Sequence, residues 1–594
     1  MTTYTHGAVV MPDGTTRFRL WAPNAEHVEL IAEEGEKHAL AASLGGFFET
    51  RLPLPPGTPY RFRIDDKLDV PDPASRLQAD DVHGPSVVVG PDDYPWLNTA
   101  WRGRPWHETV IYEIHPGVAG GYAGIETRLP ALAQLGITAI ELMPIADFPG
   151  ARNWGYDGVL PYAPDTAYGT PDELRHLIDA AHGLGMMVFL DVVYNHFGPD
   201  GNYLNAYAAD FFDPKKQTPW GPAIDFSQSA VRRYFAENAL YWLSEYRFDG
   251  LRLDAVHAIS DPGWLPEMAA YVRANVAPDR HVHLVLENED NIASHLTHGF
   301  DAQWNDDAHH VLHHLLTSET RAYYADFSEH ASQRLARSLS EGFVYQGDPS
   351  GLRGGELRGE SSAHLPPSAF VLFLQNHDQV GNRAFGERLL KLVANRPDAL
   401  RAAVALQLLA PHIPLLFMGE ERGVQAPFLY FTSHTDETLA KAVREGRRRE
   451  FAGLHADDDP DLAARIPDPN DPATFEASQD ILPETDPEAA HWLAFYRRLL
   501  ELRSTRVTPG IPGAVSMGAR ALGSHAVVAR WRLGNEKVLT LYANLGEDDI
   551  SAESLADDYD PLAEVIFESQ AGVDAALRAV RLPAYGVVAL LKHE

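Results

Sequence analysis

Four stretches of the chain each end an apolar run with ionisable residues, and those residue types define the chemistry available. MMVFLDVVYNH brings Asp191, Asn195 and His196 together, and FDGLRLDAVH carries Arg252 and Asp254. HVHLVLENED has Glu287 as its first charge, and FVLFLQNHDQ ends in Asn376, His377, Asp378 and Gln379. A lone carboxylate after a strand is usually a helix cap or a loop residue. Four carboxylates and two histidines at four such places outweigh that reading. An Arg two residues before an Asp on one strand faces the same side, so Arg252 is placed to pair with Asp254. Glu287, partly desolvated, is read as a proton donor. Such a pair suits glycoside cleavage, where one acid protonates the leaving oxygen and one carboxylate attacks, or activates water, beneath the sugar. On spacing alone Glu289 and Asp290 compete with Glu287, while Asp191 and Asn195 read as residues that hold the loop after their strand.

Other chemistries have less support. Hydrolytic zinc sites advertise close His pairs such as HExxH, and His309-His310 and His313-His314 lack that spacing and read as helix packing. Asp200 and Asp213 sit in no DxDxDG-type loop, so no metal is expected. No GxSxG elbow, P-loop or nucleotide-binding GxGxxG occurs, and no cofactor is expected. The chain has no cysteine, which removes disulfides, thiolate nucleophiles and iron-sulfur clusters together.

The elements that must position these groups are eight apolar runs: 110–114, 139–143, 187–193, 250–254, 283–287, 302–304, 370–374 and 415–418. They alternate with helical patterns, the grammar of a closed parallel barrel whose active groups sit at the C-terminal ends of the strands. One intervening helix is explicit: Thr170 as N-cap, Pro171 at the first position, Glu173 closing a capping box, and a stop at Gly183 and Gly185. Before the barrel, alternating runs such as TRFRLW and YRFRI between PDG, PN and PPG turns read as a small sandwich, and strands return near residue 513. The fold class is therefore α/β: a (β/α)8 TIM barrel at 96–505 with a short insertion near 197–228, an N-terminal immunoglobulin-like β-sandwich at 1–95 and a C-terminal β-sandwich domain at 506–594. The insertion, rich in Asp, Asn, Gly, Pro and Tyr, reads as too polar for a core and as a segment that shapes a site. The acidic, proline-rich stretch 456–472 reads as solvated surface.

Composition narrows the partners. The 594 residues are 45% hydrophobic and 22% charged, as in globular proteins, and 49 basic against 83 acidic side chains leave a net charge of −34. That charge repels phosphate backbones and anionic lipid, so neither nucleic acid nor membrane is an expected partner. Plentiful aromatics, 11 Trp, 23 Tyr and 25 Phe, suit sugar faces as well as cores. The opening MTTYTHGAVV has no basic n-region before an apolar stretch, and a cytoplasmic location is expected.

DVVYNH, GLRLDAVH, the strand ending at Glu287 and QNHDQ, in that order, resemble the four ordered regions of the alpha-amylase superfamily of glycoside hydrolases. The resemblance implies Asp254 as nucleophile of a retaining double displacement, Glu287 as general acid/base and Asp378 as the carboxylate that binds and distorts the sugar. It also implies substrate contacts from Arg252, His196, His377, Gln379 and, in NWGYDG, Tyr156, with Trp304 and Asp306 as further candidates. VPDPASRLQADDVHGPS, FDAQWNDDAHH, LQNHDQVGNRAFGERL, APFLYFTSH and AVREGRRREF are similar to the maltooligosyltrehalose trehalohydrolase family. That likeness implies maltooligosyltrehalose or a related α-glucan as substrate, release of trehalose, and functional coupling to a maltooligosyltrehalose synthase. A glycogen branching or debranching enzyme of the same superfamily, and a catalytically silent carbohydrate-binding member, are the alternatives. The first barrel loop, HPGVAGGYAGIETRL, departs from the family pattern by lacking a longer glycine- and threonine-rich stretch.

Overall fold

The computed structural model describes residues 4–32, 35–90, 94–218, 221–455, 462–479, 487–551 and 553–594. Eight parallel strands close into a barrel in sequence order: Ile111–Ile114, Ala139–Leu142, Met187–Val192, Gly250–Leu253, His283–Leu286, Ala302–Trp304, Phe370–Phe373 and Ile413–Phe417. All eight coincide with the apolar runs. Their inward residues, Ile111, Met187, Phe189, Val285, Trp304, Phe373 and Leu415 among them, form a closed apolar plug. Glu113, Glu141, Asp191 and Arg252 lie within the strands toward their C-terminal ends, above this plug.

The helix Pro171–Gly183 has the anticipated capping box, with Glu173 N donating to Thr170 Oγ1 at 3.2 Å and Thr170 N to Glu173 Oε2 at 2.7 Å. Its buried stripe is Leu174, Leu177, Ile178 and Ala181. The short first barrel loop is itself helical: Pro116–Ala119, N-capped by His115, runs through Gly120 and Gly121 into Gly121–Leu135. Gly121 has φ +77°, and a Cβ there would lie 2.7 Å from the carbonyl oxygen of Tyr168, so glycine is what lets the second helix start.

The N-terminal region forms two antiparallel sheets around Phe18, Leu20, Val28, Leu30, Tyr60 and Phe62. The C-terminal region is a five-stranded antiparallel sheet whose outer face is covered by the ladder Ile550–Ser551 with Arg581–Leu582 and the helix Val573–Arg578. Its inner face meets the barrel, where Trp531 Nε1 donates to Leu339 O.

Two sequence expectations need correction. The insertion is not too polar to pack: it folds as two 3-10 turns and the hairpin strands Phe212–Thr218 and Gly221–Ile224, burying Phe197, Leu204, Tyr207, Phe211, Phe212 and Phe226. Its aromatic residues join the sandwich to the barrel, with Phe211 against Trp21 at 5.7 Å and against Tyr234 at 5.4 Å. The same seam holds Thr5 N and Oγ1 on Glu237 at 2.7 Å and Tyr4 on Glu245 at 2.8 Å. Of the acidic stretch 456–472, residues 456–461 lie outside the described residues. The remainder is docked rather than merely solvated, because Ile466 is buried, Asp468 pairs with Arg444 at 2.9 Å and Asn470 accepts from His434 N at 2.8 Å.

Candidate active site

Adjacent barrel strands bring the charged groups to one end. Parallel register sets Asp191 beside Arg252, and Arg252 beside Val285, two positions before Glu287. The Arg252 side chain is fully buried and lies on the Trp304 ring, its guanidinium carbon 4.2 Å from the centroid. From there its planar fork divides: Nη1 reaches Asp191 Oδ2 at 2.7 Å and Asp254 Oδ1 at 2.9 Å, while Nη2 reaches Glu287 Oε2 at 2.7 Å. One cation thus holds carboxylates from three strands. Burial alone would weaken its proton affinity, but the carboxylates outweigh that and raise it well above the ordinary arginine value. The sequence paired Arg252 with Asp254 alone; its contacts with Asp191 and Glu287 depend on the barrel's closure.

Each carboxylate has a second anchor. Asp254 Oδ2 accepts from Asn195 Nδ2 at 2.8 Å, and the Asp254 carbonyl accepts from the same amide at 2.8 Å. Ala255 turns left-handed at φ 39°, and its N–H donates to Glu287 Oε2 at 2.8 Å. Asp191 Oδ2 accepts from Tyr156 Oη at 2.6 Å. Burial and the Asp254 charge, opposed by Arg252, push Asp191 up to about 7. Asp191 and Asn195 are therefore supports for Arg252, Tyr156 and Asp254 as well as for their own loop.

Opposite this group stands the short helix His377–Gly381. Asp378, in its first turn, has its N–H on Asn376 Oδ1 at 2.9 Å and is the most open of the carboxylates, with 36% of its side chain exposed against 11% for Asp254 and 16% for Glu287. His377 is buried under the Tyr156 ring, stacked at 5.1 Å, and its Nδ1 donates to Glu113 Oε1 at 2.5 Å while Nε2 lies 3.5 Å from Asp378 Oδ1. Desolvation works against its charge, but Asp378 and Glu113 outweigh it and push His377 up to about 9.

Several candidate substrate contacts change character. Trp304 is fully buried in the barrel plug beneath Arg252, so it is no sugar platform. Arg252, equally buried, acts on a ligand only through the carboxylates it holds. The Gln379 side chain closes a capping box, accepting from Asn376 N at 3.0 Å, and the residue is 8% exposed. His196 has Nε2 on the Tyr156 carbonyl at 2.9 Å and Nδ1 on Asn195 Oδ1. Both ring nitrogens are thus engaged by the protein. Tyr156 and Asp306 are only partly buried. Desolvation, with Glu287 and Glu289 close by, raises Asp306 well above its ordinary value. Glu289 and Asp290, the competitors of Glu287, turn to Arg353. His309 and His313 pack within their helix layer, bonded to Leu374 O and Glu319 at 2.8 Å.

Sequence reading missed Glu113 and Glu141, neighbours on the first two barrel strands, each 1% exposed. Their signal is a single charge inside an otherwise apolar strand, IYEI and AIEL, where burial without a partner is costly. Among the described residues, the grouping with spacing for a cation is His27, Glu29 and Asp66, on the N-terminal sheets rather than at the barrel rim.

Comparison with known proteins agrees with this architecture. Residues 98–220 match the alpha amylase catalytic domain, 5–80 carbohydrate-binding module 48, the isoamylase N-terminal domain, and 516–589 a domain of unknown function, DUF3459. The malto-oligosyltrehalose trehalohydrolase of Deinococcus radiodurans is 39% identical over 552 residues, covering 89% of this chain and 90% of that one. That of Saccharolobus solfataricus is 38% identical over 515 residues, covering 84% and 87%. The 1.4 Å crystal structure of a Salmonella typhimurium protein assigned as an alpha amylase superposes with a TM-score of 0.91 at 41% identity, over 100% of both chains.

Proposed function

The chain belongs to the malto-oligosyltrehalose trehalohydrolase family, within the alpha-amylase superfamily, and from that premise we propose that it hydrolyses the α-1,4 bond next to the terminal trehalose of maltooligosyltrehalose. The observation that carries the chemistry is the Arg252 fork. It anchors Asp254 and Glu287 on the two terminal nitrogens of one guanidinium, which supports the close carboxylate spacing of a retaining enzyme.

In the first step Asp254 attacks the anomeric carbon and the bond to the leaving oxygen breaks. Glu287 gives that oxygen its proton, so trehalose departs neutral and a glycosyl ester remains on Asp254. In the second step Glu287 takes a proton from water, the water oxygen attacks the anomeric carbon, and Asp254 leaves as a carboxylate. Each turnover releases one trehalose and creates one reducing end on the shortened chain. Asp378, the most open carboxylate, faces the sugar hydroxyls from the opposite wall. Asp306, close to Glu287, lines the leaving-group side, and Tyr156 contributes its ring. We place the working domain bounds at 1–95, 96–505 and 506–594, and the enzyme in the cytoplasm, functionally coupled to a maltooligosyltrehalose synthase.

The test is to incubate the purified protein with maltooligosyltrehalose and, separately, with a maltooligosaccharide of equal length, and to quantify trehalose, glucose and maltose by chromatography. Preferential release of trehalose is expected. Rebranching or debranching of plain glucan without trehalose would refute the assignment and favour the branching or debranching alternative.

A further inference from the structure

We propose that Glu113 is a positioning residue for this reaction: by accepting the Nδ1 proton of His377 in a buried bond, it fixes the ring so that Nε2 faces Asp378 and the groove. The inference rests on the hydrolytic reading of the same site. Glu113 projects from the first barrel strand and grips His377 twice, with Oε1 on Nδ1 at 2.5 Å and Oε2 on the backbone N–H at 3.1 Å. Both residues are 1% exposed, so the pair is dry and its geometry is locked by packing. Tyr156 stacks on the ring from the groove side and Trp154 meets it edge-on at 5.5 Å, which leaves rotation about the Cβ–Cγ bond no room.

The groups facing His377 decide its charge. Asp378 and Glu113 favour the imidazolium and Arg252 opposes it. His115, after the first strand, is held low, to about 4, and stays neutral. Tyr156 is pushed well above its usual range, chiefly by burial and by Asp191, and keeps its proton. Glu141, beside Glu113 in register, has neither carboxylate oxygen hydrogen-bonded among the described residues. Burial and the charges of Glu113 and Asp191 raise it well above the carboxylate range, so it is neutral. The first barrel strand therefore directs one negative charge at one ring nitrogen. A charged His377 donates from Nε2, and a donor shared between Asp378 and a sugar hydroxyl orients both.

The test compares wild type, Glu113→Gln and Glu141→Gln. The His377 ring is followed by NMR of histidine-labelled protein, its signal assigned by loss in His377→Gln, and kcat/KM is measured across pH on maltooligosyltrehalose. In Glu113→Gln the His377 midpoint should fall by at least about one pH unit. Beyond the alkaline limb set by the Glu287 acid, a second and steeper break in kcat/KM should move down with it, while activity at pH 5.5 stays within about threefold of wild type. Glu141→Gln, which mimics a neutral acid, should shift neither. An unmoved midpoint in Glu113→Gln, or an equal loss of activity at every pH, overturns the proposal. Should Glu113→Gln not fold, the wild-type titration decides: a midpoint at or below the ordinary histidine value overturns it, and one well above supports it. Absence of wild-type turnover would refute the hydrolytic reading, while the NMR titration still judges the Glu113–His377 bond by itself.

Discussion

Replacing Arg252 with Met isolates what the buried cation does. Methionine has a similar reach and still packs on the Trp304 ring, but it brings no charge and no donors. Three carboxylates, Asp191, Asp254 and Glu287, then share a buried rim without the guanidinium that now meets each within 2.9 Å. Removing one partner of a single buried ion pair costs about 3–5 kcal/mol, and here one loss strands more than one anion, so ~4 kcal/mol is a floor at pH 7.5. With ~2.1 cal/mol/K of unfolding entropy per residue over a barrel of roughly 400 residues, that is a fall of ~5 °C in the midpoint of thermal unfolding. The pH dependence has a definite sign. Asp191, already at about 7 in the fold, lies above its unfolded value, so its ionised form costs stability that lower pH restores. Wild type recovers part of the same stability, so the deficit of Arg252→Met should shrink by the further rise in Asp191 alone, up to ~0.8 kcal/mol between pH 7.5 and 5.5. Scanning calorimetry of both proteins at the two pH values measures it. A loss that is small, or the same at both pH values, would refute the view that the fork exists to neutralise these carboxylates.

Asp254→Asn and Glu287→Gln should each lower turnover by several orders of magnitude while isothermal titration still shows maltooligosaccharide binding; near-normal turnover in either removes its assigned role. His377, raised to about 9, contributes stability that is complete below about pH 6.5 and is lost as pH rises through about 9, so the unfolding midpoint of His377→Gln should vary less over that range than that of wild type. Trp304→Leu should lower stability by about 2–4 kcal/mol and leave KM for maltooligosyltrehalose within about twofold; a large rise in KM would restore Trp304 as a sugar contact.

The barrel was legible because each strand is an apolar run buried on both faces, and because caps such as Thr170 and Glu173 mark where helices begin. The rim carboxylates were legible for the same reason: they are the first charges after those runs. What the one-dimensional pattern hides is which way a side chain turns once it has neighbours. Gln379 lies in a motif full of site residues, yet its amide is used on Asn376, three positions back, to cap a helix. Trp304 ends a strand as a platform residue would, but the inward alternation places it in the plug. Glu113 and Glu141 were overlooked because a charge inside a strand draws notice only once the barrel shows that it has no route to water. The insertion was misjudged because its polar residues outnumber its aromatic ones, although the aromatic ones determine where it packs.

The seam between the sandwich and the barrel also sets a timetable for synthesis. Thr5 finds its partner in Glu237, 232 residues later in the chain. At ~5–20 residues per second, Thr5 is made roughly 12–46 s before Glu237, and the end of the sandwich roughly 7–28 s before it. Through that interval the side bearing Tyr4 and Trp21 faces solvent, and the insertion's Phe211 has no cover until both sides exist. The nascent chain thus passes through a stage whose exposed aromatic surface invites a chaperone, and a barrel made without its leading sandwich would retain that surface for its whole lifetime.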